Sequence, residues 1–254
     1  MNILDINLCC YNSDIDLFRI SLQSILDQTQ ARWDLQLVND GSEPYLKEFI
    51  FDEFSPDKHD SIHYEENDKN MGLPYSANRA YNMGSNKYLT YTGDDNRFEP
   101  NFLEVMVNTA EEGNYQAVHS YERLIDLKGD TYRGNFPPPR GNPELGTLDP
   151  RYGGENGLPN HGYIPKYTGC NGASNIWRRS LCEKVEEVYG SFADNDLPGI
   201  EDLDIYYKFR ELGVIPHFVP EILFNYRIGS SSFSRKVVIN SRHKFAKKWK
   251  LKKR

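Results

Sequence analysis

Three polar turns, Tyr11-Asn12, Asn39-Asp40-Gly41-Ser42 and Asp94-Asp95-Asn96, each close a short apolar run along this chain. Asp5 to Cys10 has the length and composition of a buried strand, and the Asn12-Ser13-Asp14 turn after it carries helix N-cap chemistry. Phe18, Leu22, Ile25 and Leu26 then recur at i, i+4, i+7 and i+8, the apolar stripe of one helix. The alternation continues with a strand from Trp33 to Val38, a helix around Tyr45 to Phe54, a short strand near Ile62 to Tyr64, a helix from Pro74 to about Met83, and a strand from Lys87 to Tyr91. Such spacing predicts an α/β fold, a mostly parallel sheet flanked by helices, with ligands gathered at the C-terminal ends of the strands. In that topology the three turns converge on one crevice.

A length of 254 residues fits one large α/β domain. With 38% hydrophobic and 13% aromatic residues the chain can bury a core, which excludes general disorder. No apolar run reaches bilayer length, and the MNILDINLCC start lacks a signal-peptide pattern, so a cytoplasmic location is expected. GxGxxG and GxxxxGK[ST] are absent, which removes most of the case for a dinucleotide or P-loop enzyme. Cys9, Cys10, Cys170 and Cys182 form no CxxC pair and read as buried thiols.

The net charge of −7 argues against nucleic acid as a partner, but it hides an asymmetry. From Arg235 to Arg254 there are ten Lys or Arg and no acid, leaving about −17 on the rest. Phe245, Trp249 and Leu251 interleave with these cations, a pattern open to two readings: a solvated helix, or a segment lying on an anionic membrane at the inner face. Residues 135–168 hold seven of the fourteen prolines and six of the nineteen glycines and read as a long loop. Order returns from Gly172 to Arg178, with a helix near Ser180 to Tyr189 and another opening at Ile200-Glu201-Asp202.

Asp94 and Asp95 follow a strand, where adjacent carboxylates suit a hard divalent cation that also binds a substrate's phosphates. Taken alone, Asp-Asp-Asn is equally the composition of a plain turn. Asp40 before Gly41 is a turn signal too, although a carboxylate there suits the imide N–H of uracil or thymine, with Tyr11 stacked on the ring. Glu201 and Asp202 are favoured at a helix start by the macrodipole; in a crevice, one of them suits proton removal from an attacking hydroxyl.

In order, Cys9-Cys10-Tyr11-Asn12, Ser24-Ile25-Leu26-Asp27-Gln28-Thr29, Val38-Asn39-Asp40-Gly41-Ser42, Tyr88 to Asn96 with Pro100, Ala173 to Arg179, and Glu201-Asp202-Leu203-Asp204 resemble the family 2 glycosyltransferases of GT-A fold. The resemblance runs from residue 6 to about residue 227. It implies a single GT-A (Rossmann-like) domain over 1–234, with a nucleotide-binding half in 1–100, an acceptor-side half in 101–234 and a basic tail in 235–254. It further implies inverting transfer of a sugar from a nucleoside diphosphate donor, UDP or dTDP, to a hydroxyl of a glycan or lipid-linked acceptor. Tyr11 and Asp40 would hold the base, Asp94 the ribose, Asp95 an Mn²⁺ or Mg²⁺ ion, and Asp202 would be the catalytic base. The chain departs from the family pattern at Gly93, where the first Asp of Asp-x-Asp is usual, and at Ala77-Asn78-Arg79, where Arg usually precedes Asn. It departs again at Ile228, which replaces a His, although Arg227 and the serines at 230 to 232 suit phosphate contacts. A sugar-phosphate nucleotidyltransferase and a non-catalytic nucleotide-sugar or glycan-binding relative are the alternatives.

Overall fold

The computed structural model describes residues 2–29, 32–131, 141–142, 147–148, 174–229 and 235–249. Most of the 135–168 stretch, Cys170, Gly172, Ser230 to Ser232 and Leu251 lie outside these. In chain order the elements are β1 (Leu4–Cys10), α1 (Ile15–Leu26), β2 (Trp33–Asn39), α2 (Pro44–Phe54), β3 (Ile62–Glu66), α3 (Leu73–Met83), β4 (Tyr88–Gly93), β5 (Arg97–Phe98) and α4 (Phe102–Glu112). They continue with β6 (Ala117–Ile125), β7 (Gly141–Asn142), β8 (Thr147–Leu148), β9 (Asn175–Arg178), α5 (Arg179–Tyr189), α6 (Glu201–Glu211), β10 (His217–Arg227) and α7 (Arg235–Lys248).

The strands form one sheet in the order β3-β2-β1-β4-β9-β6-β10-β5, with β8 on β6 and β7 on β8. The β3-β2-β1-β4 half is parallel throughout, β9 runs antiparallel to both neighbours, and β6 pairs in parallel with β10. All seven residues of β1 are buried, as expected of a strand covered by helices on both faces. Helix α1 starts because Asp14 accepts the amides of Asp16 and Leu17 at 3.0 and 3.2 Å, and it buries Phe18, Leu22 and Ile25.

At the strands' N-terminal end Asp5 is fully buried and each of its oxygens accepts two bonds. Gln36 and the Asn86 side chain donate to Oδ1 at 3.0 and 2.8 Å; the Asn86 amide and Arg179 Nη2 donate to Oδ2 at 2.8 and 2.7 Å. This single carboxylate joins β1, β2, the approach to β4 and the start of α5.

The basic C-terminal segment is helical and docked. Phe245 is 1% exposed and clusters with Leu197, Ile200, Leu203 and Tyr207, and Trp249 packs on Tyr207 and Tyr189. Lys244 pairs with Asp196, and Lys248 pairs with Asp194 and Asp204, at 2.7 to 2.9 Å. These aromatics therefore do not form a stripe free to meet lipid, and Asp194, Asp196 and Asp204 supply partners for two of the helix's lysines. No helix among the described residues is long and apolar enough to cross a membrane. Phe245→Ala is expected to lower unfolding free energy by about 3–5 kcal/mol, read from urea denaturation.

Candidate active site

The registers Cys10↔Asn39 and Cys9↔Gly93 align the ends of β2, β1 and β4. Asp40, Tyr11 and Asp94 each follow one of these adjacent ends, so the three sequence turns meet side by side. They are also bonded together. The Asn12 amide donates to Ser42 Oγ at 2.9 Å, the Glu43 amide to Asn12 Oδ1 at 2.8 Å, and the Tyr45 hydroxyl to the Ser13 carbonyl at 3.2 Å. The first of these turns uses a left-handed Asn12, with φ of 47°.

Tyr11 stands 43% exposed on this rim, an aromatic face open to a ligand. Asp40 is 4% exposed. Its Oδ1 accepts Asn67 Nδ2 at 2.7 Å and the Met71 amide at 2.8 Å, which fills that oxygen; among the described residues Oδ2 accepts the Gly72 amide alone, at 2.9 Å. Asn67 is held in turn by Arg79, whose guanidinium also bonds Glu65 and the Glu66 carbonyl. Arg79 thus orients the Asp40 support from the side of β3. The Asp40 turn needs Gly41, which has φ of +68° and would place a Cβ 2.3 Å from the Lys69 backbone.

Asp94 accepts a hydrogen bond from Ser13 Oγ and another from the Tyr11 amide. Burial, then the neighbouring Asp95 charge, pushes its pKa up to about 6 against the pull of these donors. Asp95 is half-buried. Its backbone carbonyl accepts Arg227 Nε at 2.8 Å, while Arg227 Nη1 reaches the Asp126 carbonyl at 2.6 Å and the Arg227 amide reaches Asn96 Oδ1 at 2.9 Å. Arg227, expected as a phosphate contact, is 4% exposed and braces the Asp95 turn from β10. Gly93 leaves room for this brace, since a Cβ there would lie 2.9 Å from Asn96 Nδ2.

The start of α6 carries Glu201 and Asp202. The Gly199 amide donates to Glu201 Oε2 and the Leu203 amide to Asp202 Oδ1, both at 2.7 Å. Burial and then the Asp202 charge raise the Glu201 pKa well above the carboxylate range. Tyr91 of β4 and Tyr226 of β10 are raised by burial and by acidic neighbours that include Asp202 and Glu201; for Tyr226 they also include Glu122 and Asp95. The two tyrosines therefore link the Asp94-Asp95 turn to the acid pair. Sequence reasoning placed Tyr91 at the head of the Asp94-Asp95 turn without giving it a role, and it missed Asn67, Glu122 and Tyr226 as members of this environment. The only signal for Tyr226 was its place beside Arg227 in the family motif.

Among the described residues no group of three or more His, Cys, Asp or Glu side chains is gathered as a metal cage. A carboxylate such as that of Asp95 still suits Mg²⁺ or Mn²⁺, which often take one or two carboxylates and draw their other ligands from water and phosphate.

Glu201 holds its proton more tightly in the folded chain than in the unfolded one. Its contribution to stability is therefore full below the unfolded value of 4.5 and is lost as pH rises through the elevated folded value. Urea midpoints measured between about pH 5 and pH 9 are expected to fall less for Glu201→Gln than for the parent chain. Parallel profiles for the two proteins would remove Glu201 as a source of the pH dependence.

The model of the family described as Glycosyl transferase family 2 matches residues 5–185. An uncharacterized glycosyltransferase of Rickettsia bellii is 31% identical over 43% of this chain and 15% of its own length. Glycosyltransferase GlyA of Streptococcus pneumoniae is 30% identical over 50% of this chain and 16% of its own. A glucosyl-dolichyl phosphate glucuronosyltransferase of Haloferax volcanii is 29% identical over 41% and 32% respectively. The matched regions thus span less than a third of these curated relatives. Among solved structures, S. aureus TarS 1-349 in complex with UDP superposes with a TM-score of 0.63 at 13% identity, over 89% of this chain and 60% of that one. This likeness establishes the GT-A fold. With a family match over most of its length and the strand-end turns in place, the chain belongs to glycosyl transferase family 2.

Proposed function

We propose that this chain transfers a sugar from a nucleoside diphosphate donor, UDP or dTDP, to a hydroxyl of a glycan or lipid-linked acceptor, with inversion at the anomeric carbon. The observation that carries the reading is the meeting of Tyr11, Asp40, Asp94 and Asp95 at three adjacent strand ends, with Glu201 and Asp202 near enough to Tyr91 at the end of β4 for their charges to raise its phenol. The exposed Tyr11 ring stacks on the base, and Asp40 Oδ2, which takes a single bond among the described residues, accepts the imide N–H. Asp94 accepts from the ribose hydroxyls, a task that draws on its ionised form and so strengthens as pH rises through about 6. Asp95 would hold Mn²⁺ or Mg²⁺, with water and diphosphate oxygens completing the shell. When bound, the ion supplies charge neutralisation for the departing diphosphate.

The acceptor hydroxyl oxygen attacks the anomeric carbon, the bond from that carbon to the phosphate oxygen breaks, and the Asp202 carboxylate takes the hydroxyl proton. One base and one displacement suffice, so the product configuration is inverted. The TarS complex with UDP and the glycosyltransferase relatives support a nucleotide-sugar donor. Nucleotidyl transfer is less well served: the segment after β1 offers no Gly-rich basic loop, and its Asn12 amide is already bonded to Ser42.

The test is to incubate the purified chain with Mn²⁺ and UDP, dTDP and GDP sugars, with and without glycan acceptors, and to identify the released product. Nucleoside diphosphate is expected from the UDP or dTDP sugars. Pyrophosphate as the product would overturn the reading.

A further inference from the structure

Asp40 is held by a relay of side chains that begins on α3, away from any contact with the donor. Ser76 and Arg79 stand one turn apart on that helix, and both grip Asn67, the residue that follows β3. Asn67 Nδ2 donates to Ser76 Oγ at 2.9 Å and to Asp40 Oδ1 at 2.7 Å, while Asn67 Oδ1 accepts Arg79 Nη1. A guanidinium can only donate, so the Asn67 oxygen must turn to Arg79, and both amide hydrogens are left for Ser76 and Asp40. Arg79 is itself anchored, since Nη1 also donates to the Glu66 carbonyl at 2.8 Å and Nε pairs with Glu65. Because Glu65 offsets its charge, Arg79 acts through bond direction. The consequence falls on Asp40: with Asn67 and the Met71 amide filling Oδ1, the carboxylate is fixed with its remaining acceptor capacity on Oδ2.

We propose that Arg79 is a positioning residue for nucleobase selectivity. By directing the Asn67 amide at Asp40 it holds Oδ2 ready for a base that presents an imide N–H, uracil or thymine, and against cytosine, whose ring nitrogen at that place carries a lone pair. The inference rests on the reading of Asp40 as the base contact. Without Arg79 the oxygen of Asn67, a residue 4% exposed, has no donor. The amide then turns its oxygen to the Ser76 hydroxyl, and Asp40 loses the donor that fixes Oδ1. A carboxylate free to rotate gives up its directed bond to uracil but has none to give up with cytosine.

The experiment measures UDP and CDP binding by calorimetry in Mn²⁺ for the full chain, Arg79→Met and Arg79→Lys. The parent is expected to prefer UDP by about 100-fold or more, as a site built to bond one polar edge rejects a base that lacks it. Arg79→Met is expected to weaken UDP by about 30-fold and CDP by less than about threefold, so that the preference falls by about tenfold or more. Arg79→Lys, which keeps a donor for Asn67 Oδ1, is expected to restore part of it. Should Arg79→Met not fold, Asn67→Asp takes its place with the same expected fall in preference: it keeps the partner of Arg79 but turns the donor to Asp40 into an acceptor. An unchanged preference in the folded variant overturns the proposal, as does an equal loss for both nucleotides, the mark of a merely structural role. A parent chain that binds UDP and CDP alike, or neither, overturns the assignment of Asp40 to the base and the proposal with it.

Discussion

Asp202→Asn is expected to reduce kcat by about 1000-fold while UDP affinity stays within about twofold, the scale for loss of a general base. The substitution keeps size and shape, and its Oδ1 still accepts the Leu203 amide that anchors Asp202 at 2.7 Å. An amide oxygen cannot take up the acceptor's proton, so only the chemical step suffers. Single-turnover release of nucleoside diphosphate measures that step, and calorimetry measures UDP binding. A loss below about tenfold in kcat would assign the base elsewhere, with Glu201 the next candidate to substitute.

The second large effect is expected at Asp95. Asp95→Asn should weaken Mn²⁺-dependent UDP binding by at least about 100-fold, above the roughly 10–100-fold that changes outside the ligand shell usually cost. The Asp95 charge also helps to raise the Asp94 pKa, so its removal should relieve repulsion and leave thermal stability unchanged or improved. Loss of affinity without loss of stability is the signature of a carboxylate kept for a ligand, not for the fold. Titrating UDP into the parent and variant chains with Mn²⁺, and again with a chelator, measures it. Equal affinities for the two proteins in Mn²⁺ would clear Asp95 of a metal role.

The first half of the sheet was readable because its strands are short apolar runs ended by Asn, Asp and Gly. The turn residues Tyr11, Asp40 and Asp94 could therefore be placed at strand ends from the sequence alone. β6 escaped notice because it is covered on both faces and carries His119, Ser120 and Glu122, so neither alternation nor a clean apolar run marks it. β10 was hidden by Pro220 in mid-strand, at an irregularity where its register to β6 shifts between Val219 and Ile222. The charge contrast of the C-terminal segment was legible, but its partners Asp194, Asp196 and Asp204 were not, since periodicity says nothing about which surface a helix meets. The chain from Arg79 through Asn67 to Asp40 joins three separated segments by hydrogen bonds alone, and no local pattern announces it.

Asp5 carries a consequence for how the crevice works. Its four-bonded carboxylate acts as a rivet at the far end of the sheet, fixing β1 to β2, to the approach of β4 and to α5. Strands fastened there keep their register whatever happens at the other end. Breathing at the proposed donor site is therefore expected in the turns above the strands. Amide exchange should be slowest along β1 and accelerate sharply past Cys10, so that the protein is a rigid floor beneath an adaptable rim.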